Sequence, residues 1–500
     1  MVRRGESFDL DISIGDTNAA TREAVASAEF LCTDLDGSLL LVDSFWESLL
    51  ALVGKHFWYV FLIPFWSLRG KAALKHEVAR RSGLNAAHLP YRTELVDFLR
   101  REKFAERKLV LATGADVTIA RAVADHLDLF DHVLASDGTA NLTGENKRKA
   151  IQRLVDSRPF DYVGDSWKDL PIWKAANCAI LVEPSHSLSR AVKKVGANCK
   201  VLERGSARRA PLWKALRPHH WVKNLLVFVP IVMAHDINQL PKVWHALAAF
   251  ASFSLCASGV YILNDLFDLE ADRLHPDKKS RPFASGDVPV LTGLAVLPLL
   301  FLAGIAVAAI YCPIRFLEII VIYAAATTFY SIYGKRIPVV DVLLLTALYL
   351  LRILGGGVAA GVPVSPWLLA FSMFFLLSLA FTKRHAELTN QLLNGSEQPI
   401  ISKRDYQISD KDLVQQFGVT SGYLSVLVLA LYVNGREVTE LYRHPQWIWL
   451  ACPMLLFWIS RVWFLANRGK LHEDPVVFAA MDPVSYALGG LLLLILFAAA

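Results

Sequence analysis

The stretch Asn264-Asp265-Leu266-Phe267-Asp268-Leu269-Glu270-Ala271-Asp272 ends an apolar run that is long enough to cross a membrane. Asn264, Asp268 and Asp272 recur every four residues, so on a helix they share one face, with Asp265 beside it. Carboxylates gathered at a membrane boundary repel one another unless a cation compensates their charge. Mg²⁺ prefers such oxygen ligands together with substrate phosphates. The stretch therefore predicts a Mg²⁺–diphosphate site, and a solvated acidic helix end is the plainer alternative.

Basic residues follow the acidic stretch and favour the diphosphate interpretation. Lys278, Lys279 and Arg281 lie in the same loop. A metal held by acids beside a cluster of bases provides what a bound diphosphate needs, because the bases form charge-assisted hydrogen bonds with phosphate oxygens.

The composition divides the 500-residue chain into two parts. Hydrophobic residues make up 54% and charged residues 20%, which is too apolar for an ordinary soluble protein and too charged for a bare membrane bundle. From about Trp221 onward, apolar runs of roughly 18–25 residues recur, each able to span a bilayer. The predicted parts are a flexible tail at 1–25, a globular domain at 26–203, a linker at 204–220 and a membrane domain at 221–500.

About nine membrane spans are predicted in the second part. They start near Val222, Trp244, Val290, Ile314, Val339, Trp367, Phe417, Trp447 and Val484. Lysine and arginine are concentrated in alternate loops, including the pairs at 383–384 and 403–404. The positive-inside rule puts these loops and the N-terminal domain in the cytoplasm. The net charge of +6 then reflects loop topology and anionic lipid, and no nucleic-acid partner is expected.

A second charged region surrounds the fifth predicted span. Lys335 precedes this span, Asp341 lies at its start, and Arg352 lies inside it, about three helical turns further on. Asp341 and Arg352 could therefore line one cavity wall, and an ionisable residue at membrane depth is a functional hypothesis. The alternative is a structural aspartate and a snorkelling arginine. Lys383, at the end of the sixth span, has simple positive-inside anchoring as its alternative.

These motifs resemble the UbiA-type polyprenyl transferase superfamily, in particular its bacterial decaprenyl-phosphate phosphoribosyltransferases. Asn264-Asp265-x-x-Asp268-x-x-x-Asp272 matches the first Asp-rich motif of that superfamily, and residues 279–286 match the element after it. Residues 217–228 resemble the beginning of the first span. The region 330–341 with 352–356 resembles the second motif in its phosphoribosyltransferase form. It lacks the full Asp-x-x-x-Asp of aromatic prenyltransferases, which counts against an aromatic acceptor.

The resemblance implies that a polyprenyl phosphate attacks C1 of phosphoribosyl diphosphate and that pyrophosphate leaves. It implies catalytic and Mg²⁺-binding roles for Asp265, Asp268 and Asp272. The implied phosphate-binding residues are Lys223, Asn264, Lys279, Arg281, Lys335, Asp341, Arg352 and Lys383. The implied location is the bacterial inner membrane, with membrane lipid as a partner; a homo-oligomer is compatible with the sequence.

Short β-rich runs alternate with helical patterns in the N-terminal part. The runs lie at 30–33, 108–112, 132–135, 161–163 and 178–182. This order predicts an α/β domain with a mostly parallel sheet. Polar groups follow three of these runs, at 34–38, 113–114 and 164–169, and such positions meet at one edge of an open sheet.

This constellation resembles the haloacid dehalogenase-like phosphatases, which have a Rossmann-like fold. By that resemblance Asp34 is the nucleophile, and Asp36 is the acid that protonates the leaving alkoxide. Thr113 and Lys147 bind phosphoryl oxygens. Mg²⁺ is held by Asp34, Asp165 and Asp169. The alternative is a domain of the same fold that serves only as a scaffold.

A cap is expected at about residues 42–90, between the first two phosphatase motifs. It contains the very apolar run Phe57-Trp58-Tyr59-Val60-Phe61-Leu62-Ile63-Pro64-Phe65-Trp66, flanked by Arg69, Lys71 and Lys75. Aromatic residues next to bases suggest a helix lying in the membrane interface. Ordinary helical core of the cap is the alternative.

Together these interpretations predict a bifunctional enzyme. The membrane half would make polyprenylphosphoryl-5-phosphoribose, and the N-terminal half would remove the 5-phosphate to give polyprenylphosphoryl ribose for cell-wall arabinan precursors. One rival is a polyprenyl transferase that uses an aromatic or other small acceptor. Another is a transferase with a regulatory or docking domain in place of the phosphatase. A transporter does not explain why the charges gather in the cytoplasmic loops.

Overall fold

The computed structural model describes residues 28–194, 198–202, 210–276, 278–393, 405–435, 438, 442–471 and 474–499. The chain divides into two compact units, Met1–Ala210 with Asp272–Leu291, and Pro211–Ala271 with Thr292–Ala500. The predicted tail at 1–25, residues 204–209 of the predicted linker and the basic pair at 403–404 lie outside the described residues.

Six parallel strands form the sheet of the first unit, in the order β3-β2-β1-β4-β5-β6. They are β1 (Phe30–Thr33), β2 (Lys108–Asp116), β3 (His132–Ser136), β4 (Phe160–Gly164), β5 (Cys178–Val182) and β6 (Asn198–Leu202). The predicted α/β fold with a parallel sheet is confirmed. β6 was not predicted from the sequence. It is an edge strand with exposed polar residues such as Lys200, so it lacks the apolar pattern of a central strand.

Both faces of this sheet are covered. Within β1, Leu31 belongs to one apolar cluster, whereas Phe30 and Cys32 belong to another, as expected when successive side chains point to opposite faces. The helices of this unit are Ser44–Lys55, Phe57–Phe61, Ile63–Leu68, Lys71–Ser82, Ala86–His88, Thr93–Phe104, Val117–Leu127, Glu145–Leu154, Trp167–Asp169, Leu170–Trp173 and His186–Lys194. Fully burying one aliphatic side chain such as Leu31 stabilises the fold by about 1.5–3 kcal/mol. A shift of β1 by one residue would move its side chains to the opposite faces of the sheet, so this burial helps to fix the register of the strand.

The second unit is helical. Its helices, with the two that cross the boundary to the first unit, are Trp213–Leu216, Pro218–Phe228, Val229–Met233, Leu240–Phe267, Leu269–Leu274, Val290–Tyr311, Ile314–Ile332, Gly334–Arg336, Val340–Ala360, Pro366–Leu393, Ile408–Asp410, Lys411–Val433, Pro445–Leu450, Ala451–Asn467, Pro475–Ala479 and Pro483–Ala499. Among the described residues, seven helical stretches are long and apolar enough to cross a membrane. The predicted polytopic helical bundle is confirmed.

The first and last of the nine expected spans are shorter than the others. The region near Val222 forms a 3₁₀ helix, Pro218–Phe228, followed by the short helix Val229–Met233, so the expectation of a regular span there is wrong. Pro230 cannot donate a backbone hydrogen bond, which prevents a continuous α-helical ladder. The last expected span is a helix of 17 residues, Pro483–Ala499.

The acidic stretch does not lie on one helix as predicted. The helix Leu240–Phe267 contains Asn264 and Asp265, and Asp268 occupies the turn after it. Asp272 lies in the next helix, Leu269–Leu274. The break puts Asp265 and Asp268 at the C-terminus of a helix, where the partial negative charge disfavours carboxylates, so these two residues need positively charged partners.

Candidate active sites

The phosphatase-like residues converge at the carboxyl ends of the central strands. Asp34 directly follows β1, and its backbone N–H donates to the Val163 carbonyl at 3.0 Å. Asp165 directly follows β4. Thr113 lies inside β2, which continues past the predicted end at residue 112 and shifts register between Ala112 and Asp116. Because Thr33, the last residue of β1, pairs with Leu111, Thr113 lies past this pair, at the carboxyl edge of the sheet.

Three carboxylates in this site are close enough to share a metal ion. Single oxygens of Asp34, Asp165 and Asp169 all lie within 4.8 Å of one another, the one such group among the described residues. Burial raises the pKa of Asp165 to about 7, and the nearby Asp34 and Asp169 carboxylates add to the rise. A divalent cation would relieve this repulsion, and Mg²⁺ suits an all-oxygen donor set. The residues therefore fit the predicted ion.

Lys147 holds two of these carboxylates. Its Nζ atom lies 2.9 Å from Asp34 Oδ2 and 3.3 Å from Asp169 Oδ1. Burial disfavours the ammonium ion, yet the Asp34 and Asp169 carboxylates outweigh it and raise the pKa of Lys147. Lys147 is therefore a buried cation beside two carboxylates, a charge that suits an anionic ligand.

Asp36 has the environment of a general acid. The Ser44 backbone N–H donates to its Oδ1 at 2.8 Å. Burial raises the pKa of Asp36 to about 7, and the Asp43 carboxylate adds to the rise. A carboxyl group with a pKa in this range carries a proton for a substantial part of the time near neutral pH, as proton donation requires.

Two further residues complete this site and were missed in the sequence. The Tyr162 hydroxyl accepts from Lys147 Nζ and donates to Asp169 Oδ1, both at 2.9 Å. Ser38 Oγ donates to Asp165 Oδ1 at 3.2 Å. Two-residue alternation along β4 could have identified Tyr162, because it lies on the same face as the Gly164 that begins the final motif.

The expected cap region is helical and exposes its aromatic residues. Trp58 is 75% exposed, Phe61 60% and Phe65 64%. Trp66 is buried in an apolar cluster with Leu52 and Val78, and Tyr59 packs against this cluster. The alternative of an ordinary helical core is therefore wrong for most of this run.

In the second unit, Asp265 and Asp268 of the acidic stretch each have a basic partner. Arg217 donates to Asp265, whose side chain is buried, and Lys335 Nζ lies 3.0 Å from Asp268 Oδ2. These pairs offset the charge at the end of the helix Leu240–Phe267. The pairing of Lys335 with the acidic stretch brings together two motifs that are 67 residues apart in sequence.

Asp272 and Arg281 belong to the first unit, where Arg281 donates to Asp272 Oδ2 at 2.6 Å. Lys279 is exposed in the same segment. The donor set of the acidic stretch is of the type that Mg²⁺ prefers. Its carboxylates form no metal-holding group among the described residues, so metal binding there stays a prediction.

Lys223 and Lys383 both pair with Asp474, a residue that was not predicted from the sequence. Their Nζ atoms lie 2.7 and 2.9 Å from Asp474 Oδ2. All three residues are in the second unit, and the Asp474 side chain is buried. Two ammonium groups against one carboxylate leave a net positive charge. No local motif marks Asp474, because its partners lie 251 and 91 residues away.

Asp341 and Arg352 belong to separate hydrogen-bond networks. Asp341 accepts from Arg384 Nε and from the Tyr406 hydroxyl, and its side chain is fully buried. Arg352 donates to Asn224 Oδ1 and to the Tyr323 hydroxyl, both at 2.7 Å. These contacts favour the structural alternative for both residues.

Comparison with known proteins covers both halves of the chain. The UbiA prenyltransferase family matches residues 225–390, and the haloacid dehalogenase-like hydrolase family matches residues 9–177. The uncharacterized protein y4nM of Sinorhizobium fredii is 36% identical over 92% of this chain and 89% of its own length. The chain belongs to the UbiA prenyltransferase family and carries a haloacid dehalogenase-like hydrolase domain.

Two other relatives match part of the chain. The nodulation protein NoeC of Azorhizobium caulinodans is 39% identical over 54% of this chain and 86% of its own length. The decaprenyl-phosphate phosphoribosyltransferase of Corynebacterium glutamicum is 40% identical over 35% of this chain and 54% of its own length. The UbiA match includes Asp265, Lys335 and Lys383, whereas Asp474 lies beyond it.

Proposed function

We propose that this UbiA family member transfers 5-phosphoribose from phosphoribosyl diphosphate to a polyprenyl phosphate and then removes the 5-phosphate. The similarity to decaprenyl-phosphate phosphoribosyltransferases supports the first reaction. The set of Asp34, Asp36, Lys147 and Asp165 supports the second, and it is the observation that carries the two-step proposal.

In the transferase step a phosphate oxygen of the lipid attacks C1 of the ribose. The bond from C1 to the diphosphate breaks, and pyrophosphate leaves with the bonding electrons. The cluster of Lys223, Lys383 and Asp474 carries a net positive charge suited to a phosphate group. By the resemblance of the acidic stretch to the first Asp-rich motif, Mg²⁺ bound to this motif would neutralise charge on the diphosphate. No protein nucleophile is needed, so the residues act by positioning and by charge.

In the phosphatase step Asp34 attacks the 5-phosphate and forms an aspartyl-phosphate. The bond from phosphorus to O5 of the ribose breaks, and Asp36 gives its proton to O5. Asp36 then takes a proton from water, whose oxygen attacks phosphorus and releases inorganic phosphate from Asp34. Lys147 and Thr113 hold the phosphoryl oxygens. Mg²⁺ on Asp34, Asp165 and Asp169 would supply further charge neutralisation.

The exposed aromatic run supports contact of the phosphatase with the bilayer. Trp58, Phe61 and Phe65 form an apolar surface, and Arg69 and Lys71 follow it in sequence. Such amphipathic rings settle at the lipid headgroup level, and nearby bases add attraction to anionic lipid. The lipid-linked product would then reach the phosphatase without leaving the membrane. The positive-inside rule, applied to the basic loops, supports the proposal that both sites face the cytoplasm at a bacterial inner membrane.

Mass spectrometry of the lipid products would test the proposal. Purified protein with phosphoribosyl diphosphate, polyprenyl phosphate and Mg²⁺ should give polyprenylphosphoryl ribose. The Asp34→Asn variant should give the same lipid with one phosphate more. Wild-type protein that attaches no ribose, or that prenylates a small aromatic acceptor instead, would contradict the transferase assignment. In this proposal, polyprenylphosphoryl ribose is then used to make precursors of cell-wall arabinan.

A further inference from the structure

A segment of the UbiA half is built into the phosphatase unit. Residues Asp272–Leu291 fall in the same compact unit as the six-stranded sheet, although they lie inside the UbiA match. Phe283, Ala284 and Val288 of this segment are buried. The segment is therefore packed structure of the phosphatase unit as well as a loop of the transferase sequence.

Arg273 ties this segment to the helix Ser44–Lys55. Its guanidinium donates to both oxygens of Glu47, at 2.7 and 3.1 Å, and its Nε donates to the Ala284 carbonyl at 2.9 Å. The Glu47 side chain is 2% exposed and that of Arg273 10%. A two-point ion pair with this burial fixes orientation as well as distance.

A second contact of the segment lies on the other side of Ser44. Gly286 has a φ of +77° and packs directly against Leu41, whose Cβ would be 2.8 Å from a Cβ at residue 286. Residues 41 and 47 are thus both held by the segment. Between them lies Ser44, whose backbone N–H donates to Asp36 at 2.8 Å.

We propose that Arg273 and Glu47 are positioning residues for Asp36. The segment fixes the first turn of the helix Ser44–Lys55 from both sides, and that turn holds the carboxyl group of the general acid. The inference rests on the proposed phosphatase function. It implies that the dephosphorylation step depends on residues of the transferase sequence, so the phosphatase half is incomplete without them.

A general acid matters most when the leaving group is a poor one. The alkoxide that leaves ribose 5-phosphate is strongly basic and needs a proton, whereas the phenolate that leaves p-nitrophenyl phosphate is far more acidic and needs little help. A displaced Asp36 therefore slows phosphoryl transfer from ribose 5-phosphate much more than phosphoryl transfer from p-nitrophenyl phosphate. A general loss of folded protein lowers both equally.

The test compares Glu47→Gln with Glu102→Gln in the purified full-length chain. Glu102 also pairs with an arginine, Arg107, at 2.7 Å in the same unit, away from Asp36. Because Asp36 also activates water in the later step that both substrates share, the quantity compared is kcat/KM, which reports the steps up to departure of the leaving group. We expect Glu47→Gln to lower kcat/KM for ribose 5-phosphate about tenfold and kcat/KM for p-nitrophenyl phosphate less than about twofold, as a partial loss of general acid catalysis. The Glu102→Gln variant should keep the wild-type ratio of the two rates.

Arg273→Lys keeps the charge but loses the two-point contact, so it should change the ratio of the rates on ribose 5-phosphate and p-nitrophenyl phosphate less strongly. This variant replaces Glu47→Gln in the test if Glu47→Gln does not fold. Equal losses on both substrates, or an unchanged ratio in both variants, would overturn the inference alone. A wild-type chain that releases no Asp34-dependent phosphate would overturn the proposed phosphatase function and the inference with it.

Discussion

Lys147 and Asp34 form a buried ion pair, with the ammonium nitrogen 2.9 Å from the carboxylate oxygen that would attack phosphorus. In the proposed reaction, this pair would align the nucleophile and keep a cation beside the phosphoryl group. Burial raises the pKa of Asp34, and the positive charge of Lys147 opposes this rise because it stabilises the carboxylate.

The Asp34→Asn substitution should abolish phosphate release, on the order of 10³-fold or more, because the amide cannot serve as the nucleophile. Transfer of phosphoribose should continue at the wild-type rate. Phosphate release and lipid products measured on one preparation would check both statements. Equal rates of phosphate release in wild type and variant would place the second reaction elsewhere.

Mg²⁺ should stabilise the phosphatase unit more at pH 8 than at pH 5.5. The pKa of Asp165 is raised from its ordinary value of 3.8 to about 7, so without metal its contribution to stability is full below about pH 4 and is lost as the pH rises through 7. Mg²⁺ replaces the proton as the partner of the carboxylates. Thermal unfolding of the full chain with EDTA and with Mg²⁺ at both pH values is the measurement, and a shift independent of pH would contradict it.

The Asp474→Asn substitution should destabilise the membrane unit, because it leaves the ammonium groups of Lys223 and Lys383 without their shared counter-ion. Removal of one partner from a buried ion pair costs about 3–5 kcal/mol. Asp482→Asn is a suitable control, since its partner Arg461 is 24% exposed. Thermal unfolding in detergent should show a larger drop for Asp474→Asn, and equal drops would argue against the cluster.

Replacing exposed aromatic residues of the cap should impair only the reaction on lipid. Trp58→Ser with Phe65→Ser should raise KM for the lipid-linked phosphomonoester and leave KM for ribose 5-phosphate unchanged, because the soluble substrate needs no contact with the bilayer. Phe104→Ser removes a side chain that is 90% exposed in the same unit, and it should have neither effect. A parallel rise for both substrates would indicate damage to the cap itself.

Much of the architecture was readable from local patterns. Five of the six strands, the helical bundle and the positions of Asp34, Asp165 and Asp169 after strands followed from runs of apolar residues and the turns that end them. β6 escaped because an exposed edge strand has no such run. The first expected span was wrong in form, since a hydropathy window does not register the effect of Pro230 on the helical ladder.

The amino-acid sequence by itself determined the two halves, their fold classes and the motif residues, because these depend on spacing within short segments. The tertiary structure decided which charges meet. Asp474 between Lys223 and Lys383, and Arg273 on Glu47, are pairs separated by roughly 90 to 250 residues. Such pairs form only when the packing of whole elements brings distant segments within a few ångströms, a distance that no local pattern encodes. The acidic stretch from Asn264 to Asp272 thus predicts a phosphate site from the sequence alone. The fold places its last carboxylate, Asp272, in the same compact unit as the parallel sheet.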